Sequence, residues 1–555
     1  MLRCVSRKSR PSPLLTAVDP TGIADADTRH VVQQLLNVVE ELAQTIAVLR
    51  AENQGLRDEN ARLKGEQGKP TLRPATPATR LAASDHSSEA ERRTSQPRRV
   101  RAKTALLAVD REQTLVCDRT TLPADARRKG YTRVLVQDLR VQRETICFLR
   151  EKWYAPSTGK TYLAPLPAGY QGQFGPQLKQ LALTLYWEAQ LSEASLLTFL
   201  HGAGVRLSAG TLSTLLTEDR ERFAAEQAAV VRAGLASSPV QQLDVTSTRV
   251  NGQPEQCHIL CNPLYTAYRT LPQKDRLSVL TVLSQGAPLL HLANATAAAW
   301  LTQAGVAETT RAVLAALPQD AALDAATFAR LIEAHGGKLG PQQQRWLREA
   351  TAVAAYQAGR MGPVVETLLS DDAPEYTRLT ARQALCWVHD GRHYTKLVPY
   401  TAVNQRLLAA FRDDYWTFYR ELRAYQAAPE PAEAARLSAA FEALFSRETG
   451  YRALDDRIAK TKAKRAQLLL VLTDPTVPLH NNAAELGARR RVRKRDVSFG
   501  PRTAQGKRAW DVFQSLVETT RKLGVSFGAY VGDRLVGAGA VPRLDALIRA
   551  RAALA

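Results

Sequence analysis

The stretch PLHNNAAELGARRRVRKR, Pro478 to Arg495, sets one carboxylate, Glu485, just ahead of six positive charges in seven positions: Arg489, Arg490, Arg491, Arg493, Lys494 and Arg495. Such a block has two readings. It is either the solvated face of a charged helix, or an acid that holds a metal ion beside side chains that hold phosphates. The second reading needs partner acids. Asp244 lies within an alternating run, VQQLDVTSTRV, and Asp371 follows an apolar run in VVETLLSDDAPEY. Three carboxylates from distant segments could hold two Mg2+ or Mn2+ ions about 3.5–4 Å apart. One ion would activate a water or a 3′-hydroxyl, and the other would stabilise the leaving oxygen of a phosphodiester. The chain carries 54 acids, so spacing by itself does not single out these three.

Gathering such acids at one edge requires a sheet. VQQLDVTSTRV, the turn NGQP, EQCHILCN and TAYRTL read as three consecutive strands, with an Asn-Gly hairpin turn between the first two. A later strand runs into Asp371, and Glu485 follows on a helix. This order suits an α/β core of ribonuclease-H-like type over residues 236–535, with helical insertions at about 293–360 and 403–470 and a helical tail at 536–555.

Upstream, Leu35, Leu42, Leu49, Leu56 and Leu63 recur every seven residues, with Val32, Val39, Ile46, Asn53 and Asn60 between them. Leu at every d position and β-branched residues or Asn at a predict a parallel two-stranded coiled coil over 32–64. A basic tail (1–31) precedes it. A Pro-, Ser-, Thr- and Arg-rich stretch (65–104) reads as a flexible basic linker. Alternating runs such as RVLVQDL and ETICFLREKWY predict a small β-rich module over 105–175. Residues 176–235 read as helices, and LSEASLLTFLHGAGVRLSAGTLSTLLTEDRERF has a helix-turn-helix-like pattern.

The 555-residue chain has a net charge of +21, which favours a polyanionic partner. It contains no apolar run of the roughly 18 residues that a membrane span needs, and its first residues read as no secretion signal. Six scattered cysteines suit a reducing, cytoplasmic setting. Cys257, His258 and Cys261 are either a zinc site or ordinary packing in a strand.

Several of these stretches resemble the IS66 family of insertion-sequence transposases. LDVTSTRVNG is similar to its first-aspartate motif. LSDDAPEY is similar to the second, in which an Asp is followed five residues on by Tyr, selecting Asp371 over Asp372. CWVHDGRHYTKL resembles a Cys-Trp-x-His-x-x-Arg element carried by Cys386, Trp387, His389 and Arg392. HNNAAEL is similar to the Asp-Asn-Asn-x-x-Glu motif that supplies the third acid, Glu485. The resemblance runs from about Val32 to Leu535. It implies a DDE transposase: Asp244, Asp371 and Glu485 as catalytic metal ligands, two Mg2+ or Mn2+ ions, and DNA as partner, both terminal inverted repeats and target. It further implies a homodimer through the coiled coil, accessory proteins of the element, and a nucleoid-associated bacterial setting.

Arg489, Arg490, Arg491, Arg493, Lys494 and Arg495, with Arg502, Lys507 and Arg508, are the expected DNA contacts. His389, Arg392, His480, Asn481 and Asn482 are accessory candidates. Three departures stand out. No Cys-x-x-Cys element precedes Gly175. The helical insertion lengthens the spacing before Asp371. His480 stands where the family pattern has Asp. That change either bears on the metal or concerns only helix capping, which Asn481 or Asn482 could supply. The alternative function is a catalytically inactive, transposase-derived dimeric DNA-binding protein.

Overall fold

In the computed structural model, the described residues are 20–63, 108–118, 122–123, 126–139, 141–217, 220–336 and 339–554. The linker at 65–104 and residues 1–19 of the basic tail lie outside them.

The heptad segment is one helix, α1 (Ala26–Leu63). It docks on the chain through a face beside the leucine seam, where Leu36, Asn37 and Glu40 are buried. Asn37 donates to the Gly450 carbonyl at 3.0 Å, and Glu40 accepts from the amides of Tyr400 and Thr401 at 2.8 and 3.0 Å. Leu35, Leu42, Leu49, Leu56 and Leu63 stay exposed.

In the β-rich module the only ladder among the described residues is the hairpin of β1 (Lys152–Ala155) and β2 (Lys160–Leu163). The run RVLVQDL, expected as a strand, pairs with nothing among the described residues, and its Val134, Val136 and Leu139 are exposed. Alternation makes a strand only where a neighbouring edge supplies hydrogen bonds.

Next come α2 (Pro176–Leu183), one π turn at Thr184–Glu188, α3 (Glu193–Gly202), α4 (Ala209–Thr217) and α5 (Arg220–Ala236). The predicted helix pair is α3 and α4. Ser192 caps the first and Ser208 accepts from the Thr211 amide in the second, while Leu196, Leu200, Leu212 and Leu216 pack between them and the core.

The core is a five-stranded mixed sheet. Strands β3 (Val240–Val250), β4 (Gln253–Asn262) and β5 (Tyr265–Leu271) form an antiparallel meander. Asn251 and Gly252 take positive φ, 49° and 76°, as a two-residue hairpin turn requires. The chain leaves through α6 (Arg276–Leu283), β6 (Leu290–Leu292), α7 (Ala295–Gln303), α8 (Glu308–Ala316), β7 (Ala322–Asp324), α9 (Ala325–Gly336) and α10 (Pro341–Gln357). It returns as β8 (Thr367–Ser370) and β9 (Arg382–Leu385), parallel to each other and, through β8, to β3. The sheet order is β5-β4-β3-β8-β9.

Cys257 and Cys261 point to one face of β4 and His258 to the other, as period two demands. All three are buried, and His258 contacts the Gln273 carbonyl at 3.1 Å. This is the packing reading, not a zinc site.

After β9 come α11 (Trp387–Thr395), then the second insertion, α12 (Ala402–Ala427), α13 (Pro431–Phe445), α14 (Arg452–Lys462) and α15 (Arg465–Leu468). Their own core gathers around Trp387, Tyr415, Phe441 and Phe445. The chain ends with α16 (Asn482–Ser498), α17 (Ala504–Lys522), α18 (Phe527–Val536) and α19 (Leu544–Ala552).

α17 closes the open edge of the sheet. The amides of Thr266, Tyr268 and Thr270 donate to Thr519, Ser515 and Asp511 at 3.2, 2.9 and 2.8 Å. Two strand residues advance about 6.8 Å and four helix residues about 6 Å, so the two rows stay in step. An edge that would invite another strand is thereby satisfied within the chain. No helix among the described residues is long and apolar enough to cross a membrane.

Candidate active site

The register of β3 and β8 brings the two aspartates together. Gln242 is the Cα partner of Leu369 on the neighbouring parallel strand. Asp244 and Asp371 each lie two residues further on, Asp244 within β3 and Asp371 just past the end of β8. Asp371 leaves the sheet as β8 ends, and its Oδ1 accepts from the Ala373 amide at 3.2 Å. Tyr376, five residues on, is buried in the field of both Asp371 and Asp244, which hold its phenol well above the usual range after burial itself. Asp372 turns away to an ion pair with Lys464.

Glu485 arrives from the other side, in the first turn of α16, where the helix dipole favours an acid. Small residues let this helix close on the sheet. Ala484 and Ala488 are buried, and a Cβ on Gly487 would sit 2.7 Å from Ile259 Cγ2. The Gly487 carbonyl accepts from Tyr268 Oη at 3.0 Å. The helix start is tied down by Asn481, whose Nδ2 donates to the Leu243 carbonyl at 2.8 Å and whose amide donates to Cys386 Sγ at 3.3 Å. The carbonyl it grips belongs to the residue before Asp244. Asn481 is thus a bolt between α16 and β3, and its side chain makes no cap hydrogen bond, so it is not the one of the two expected caps that serves. His480 is half-buried just before it.

Burial, followed by the charges of Asp371 and Glu485, raises Asp244 to about 7, against the opposing pull of the Val245 amide and Arg392. Arg392 Nη2 donates to Glu485 Oε2 at 3.1 Å. Glu485 Oε1 faces His389 Nδ1 at 3.6 Å, and both atoms are buried without a hydrogen bond among the described residues. Burial holds the His389 imidazole below its usual range, although Glu485 pulls the other way. Ligand atoms of Cys386, His389 and Glu485 lie within 4.8 Å of one another, close enough to converge on one cation.

The basic block divides. Arg489 and Arg493 are exposed and follow Glu485 at four-residue spacing, on its face of α16. Arg502 and Arg508 are exposed too. Arg490 pairs with Glu518 at 3.0 Å and Lys507 with Glu255 at 2.9 Å, and Arg495 donates to the Ser247 carbonyl at 2.7 Å. Arg491 and Lys494, expected at the DNA, are buried instead. Arg491 donates to Gln514 and Thr270, both at 2.7 Å, and pairs with Asp511 at 3.3 Å. Lys494 donates to the carbonyls of Tyr186 and Leu191 at 2.8 and 2.9 Å and sits 3.3 Å over the Tyr186 ring. Both brace α16 from beneath. Their signal was present: Ala484, Gly487, Ala488, Arg491 and Lys494 continue one three-or-four-residue stripe.

The family described as Transposase IS66 family matches residues 327–509, which include Asp371, the Cys386 to Arg392 element and Glu485. The uncharacterized protein y4jO of Sinorhizobium fredii (strain NBRC 101917 / NGR234) is 33% identical over 326 residues, 58% of this chain and 100% of that protein. No solved structure matches the chain. On these matches, the chain belongs to the IS66 family of transposases.

Proposed function

We propose that the protein cuts and joins DNA at the ends of an IS66-like element, with Asp244, Asp371 and Glu485 as its reactive acids. The observation that carries this is that three carboxylates from segments far apart in sequence face one region, where the charges of Asp371 and Glu485 both act on Asp244. The sheet order and the place of each acid support a ribonuclease-H-like reading of the core.

The site suits hard divalent cations such as Mg2+ or Mn2+. The three acids offer hard oxygen donors, one carboxylate oxygen is buried without a hydrogen bond, and the acids repel one another unless a cation lies among them, while Cys386 and His389 are the further donors grouped at Glu485. Asp244, Asp371 and Glu485 would hold two such ions, which supply a lowered pKa for the attacking water or 3′-hydroxyl and charge stabilisation at the leaving oxygen. The protein's own work is placement. β3 and the end of β8 carry two acids, Asn481 and Gly487 hold the third against them, and Arg489 and Arg493 offer charge to a phosphate backbone beside Glu485. The helix pair α3–α4 and the hairpin β1–β2 would contact terminal repeats. The leucine seam of α1 would join two copies, holding two DNA ends for one reaction. Elements of this family suggest accessory proteins as further partners.

One observation favours the second reading, a DNA-binding descendant without chemistry: His480 replaces the acid of the family pattern. The test is strand transfer. A plasmid carrying the element's ends, incubated with the protein and Mg2+ or Mn2+, should yield 3′-cleaved ends and joined products. Tight, end-specific binding with neither product would select the second reading.

A further inference from the structure

α11 has two distinct faces. Trp387, Asp390, Gly391 and Tyr394 are buried. His389, Arg392, His393 and Lys396 recur at i, i+3, i+4 and i+7, so they line the opposite face. That face starts at Glu485, where Arg392 and His389 lie 3.1 and 3.6 Å from its oxygens. It ends about 10 Å further on at Lys396, from the helical rise.

The second insertion holds this face rigid. Asp390, buried beneath it, accepts from Arg457 and from Thr461 of α14, and from Tyr415 of α12. Tyr394 Oη shares a 2.8 Å hydrogen bond with Thr461. Gly391 leaves no room for a Cβ, which would meet Trp416 at 2.7 Å. The last turn of α14 thereby brings Lys460 alongside, and Lys464 beyond it reaches Asp372, next to Asp371. The region is electropositive: burial first, then Arg457, Lys396, His389 and Lys460, hold His393 down at about 4.

Basic residues at helix C-termini also suit the dipole, which would account for some of these cations. On the face itself Arg392 is paired with Glu485, and other paired cations lie on the α14–α15 segment. Lys462 and Arg465 both pair with Glu442 of α13. Lys396 and Lys460 are exposed and make no ion pair among the described residues. We infer that this face of α11, with Lys460 beside it, is a second phosphate-binding wall that leads one DNA strand to the acids, opposite Arg489 and Arg493. The inference rests on reading those acids as the DNA-cutting site. At about 3.4 Å of axis per nucleotide of a strand, a 10 Å wall spans about three backbone steps.

The test uses the full-length protein with Lys396→Gln and Lys460→Gln combined, against a control with Lys462→Gln and Arg465→Gln. Both remove two charges from exposed positions. Duplex binding is measured over a salt series, with an element-end duplex and a scrambled duplex of equal length. The wall predicts that the first variant loses affinity for both duplexes and that its log–log salt slope falls by nearly two, at about 0.9 per phosphate contact. The control should keep most of its slope. Equal losses in the two variants would reduce the effect to net charge, and an unchanged slope in the first would show a merely solvated face; either overturns the wall. Because the readout is binding, a Glu485→Gln protein that still cleaves would sink the acid assignment without imitating either result.

Discussion

Asp244 on β3 and Asp371, the first residue past the end of β8, each follow by two residues the partnered pair Gln242 and Leu369 of those parallel strands. The juxtaposition has an electrostatic consequence. Asp244, raised to about 7 by burial and by its acidic neighbours, holds its proton more tightly folded than unfolded. Stability from that proton is full below the ordinary carboxylate range near 4 and is lost as pH rises through about 7. In chelator, Asp244→Asn should therefore melt several degrees above wild type at pH 8, and the gain should vanish towards pH 4. Thermal melts across pH check it; a gain independent of pH would mean the group is not buried among charges.

Gly487 sets how closely α16 approaches the sheet. Gly487→Val forces atoms into Ile259, so we expect a loss of about 1–3 kcal/mol from overpacking. Because Glu485 lies two residues earlier, the same change should weaken Mn2+ binding at least tenfold. Chemical denaturation and Mn2+ titration give the two readouts. Loss of stability with metal binding intact would separate the helix from the site.

Lys494 supplies a second pH signature of opposite sign. Burial lowers its ammonium to about 7, against Glu193, while the unfolded side chain titrates near 10.5. The unfolded chain binds the extra proton between those values, so wild-type stability should gain up to roughly 3 kcal/mol from pH 7 to 10. Lys494→Met should lack that rise, and should keep the wild-type salt dependence of DNA binding. A reduced salt slope would restore Lys494 to the DNA.

The exposed seam of α1 predicts a dimer. Leu42→Lys with Leu49→Lys should give monomers in sedimentation at micromolar concentration, with the melting temperature of the rest of the chain nearly unchanged, since both leucines are exposed within one chain. A wild-type monomer at that concentration would contradict the seam's role.

Much of the sheet was legible because it depends on local pattern. The Asn-Gly turn and period-two runs mark β3 to β5, whereas Asp371 is singled out by its resemblance to the family's second-aspartate motif. What escaped depends on which face of an element is covered. Nothing local says that Arg491 and Lys494 point inward while Arg489 and Arg493 point out; only the small-residue stripe through Gly487 hints at it. The run Arg133 to Leu139 alternates like a strand yet lacks a partner edge among the described residues. Asn481 or Asn482 is expected to cap α16, but the Asn481 side chain is turned so that its Nδ2 grips the Leu243 carbonyl of β3 and its oxygen bonds no helix amide. Lys396, Lys460 and Lys464 were overlooked because their relation to the acids arises from the fold of the second insertion.

Asp244, Asp371 and Glu485 together make up the proposed metal-dependent site. Its most direct measurement is the rate of 3′ cleavage on an element-end duplex with Mn2+, comparing wild type, Asp371→Asn, Glu485→Gln and the neighbouring Asp372→Asn. Cleavage is expected from wild type and from Asp372→Asn, with losses of at least a thousandfold in the other two and duplex binding retained in all four. Full activity in Glu485→Gln, or an Asp372→Asn loss as deep as that of Asp371→Asn, would contradict it.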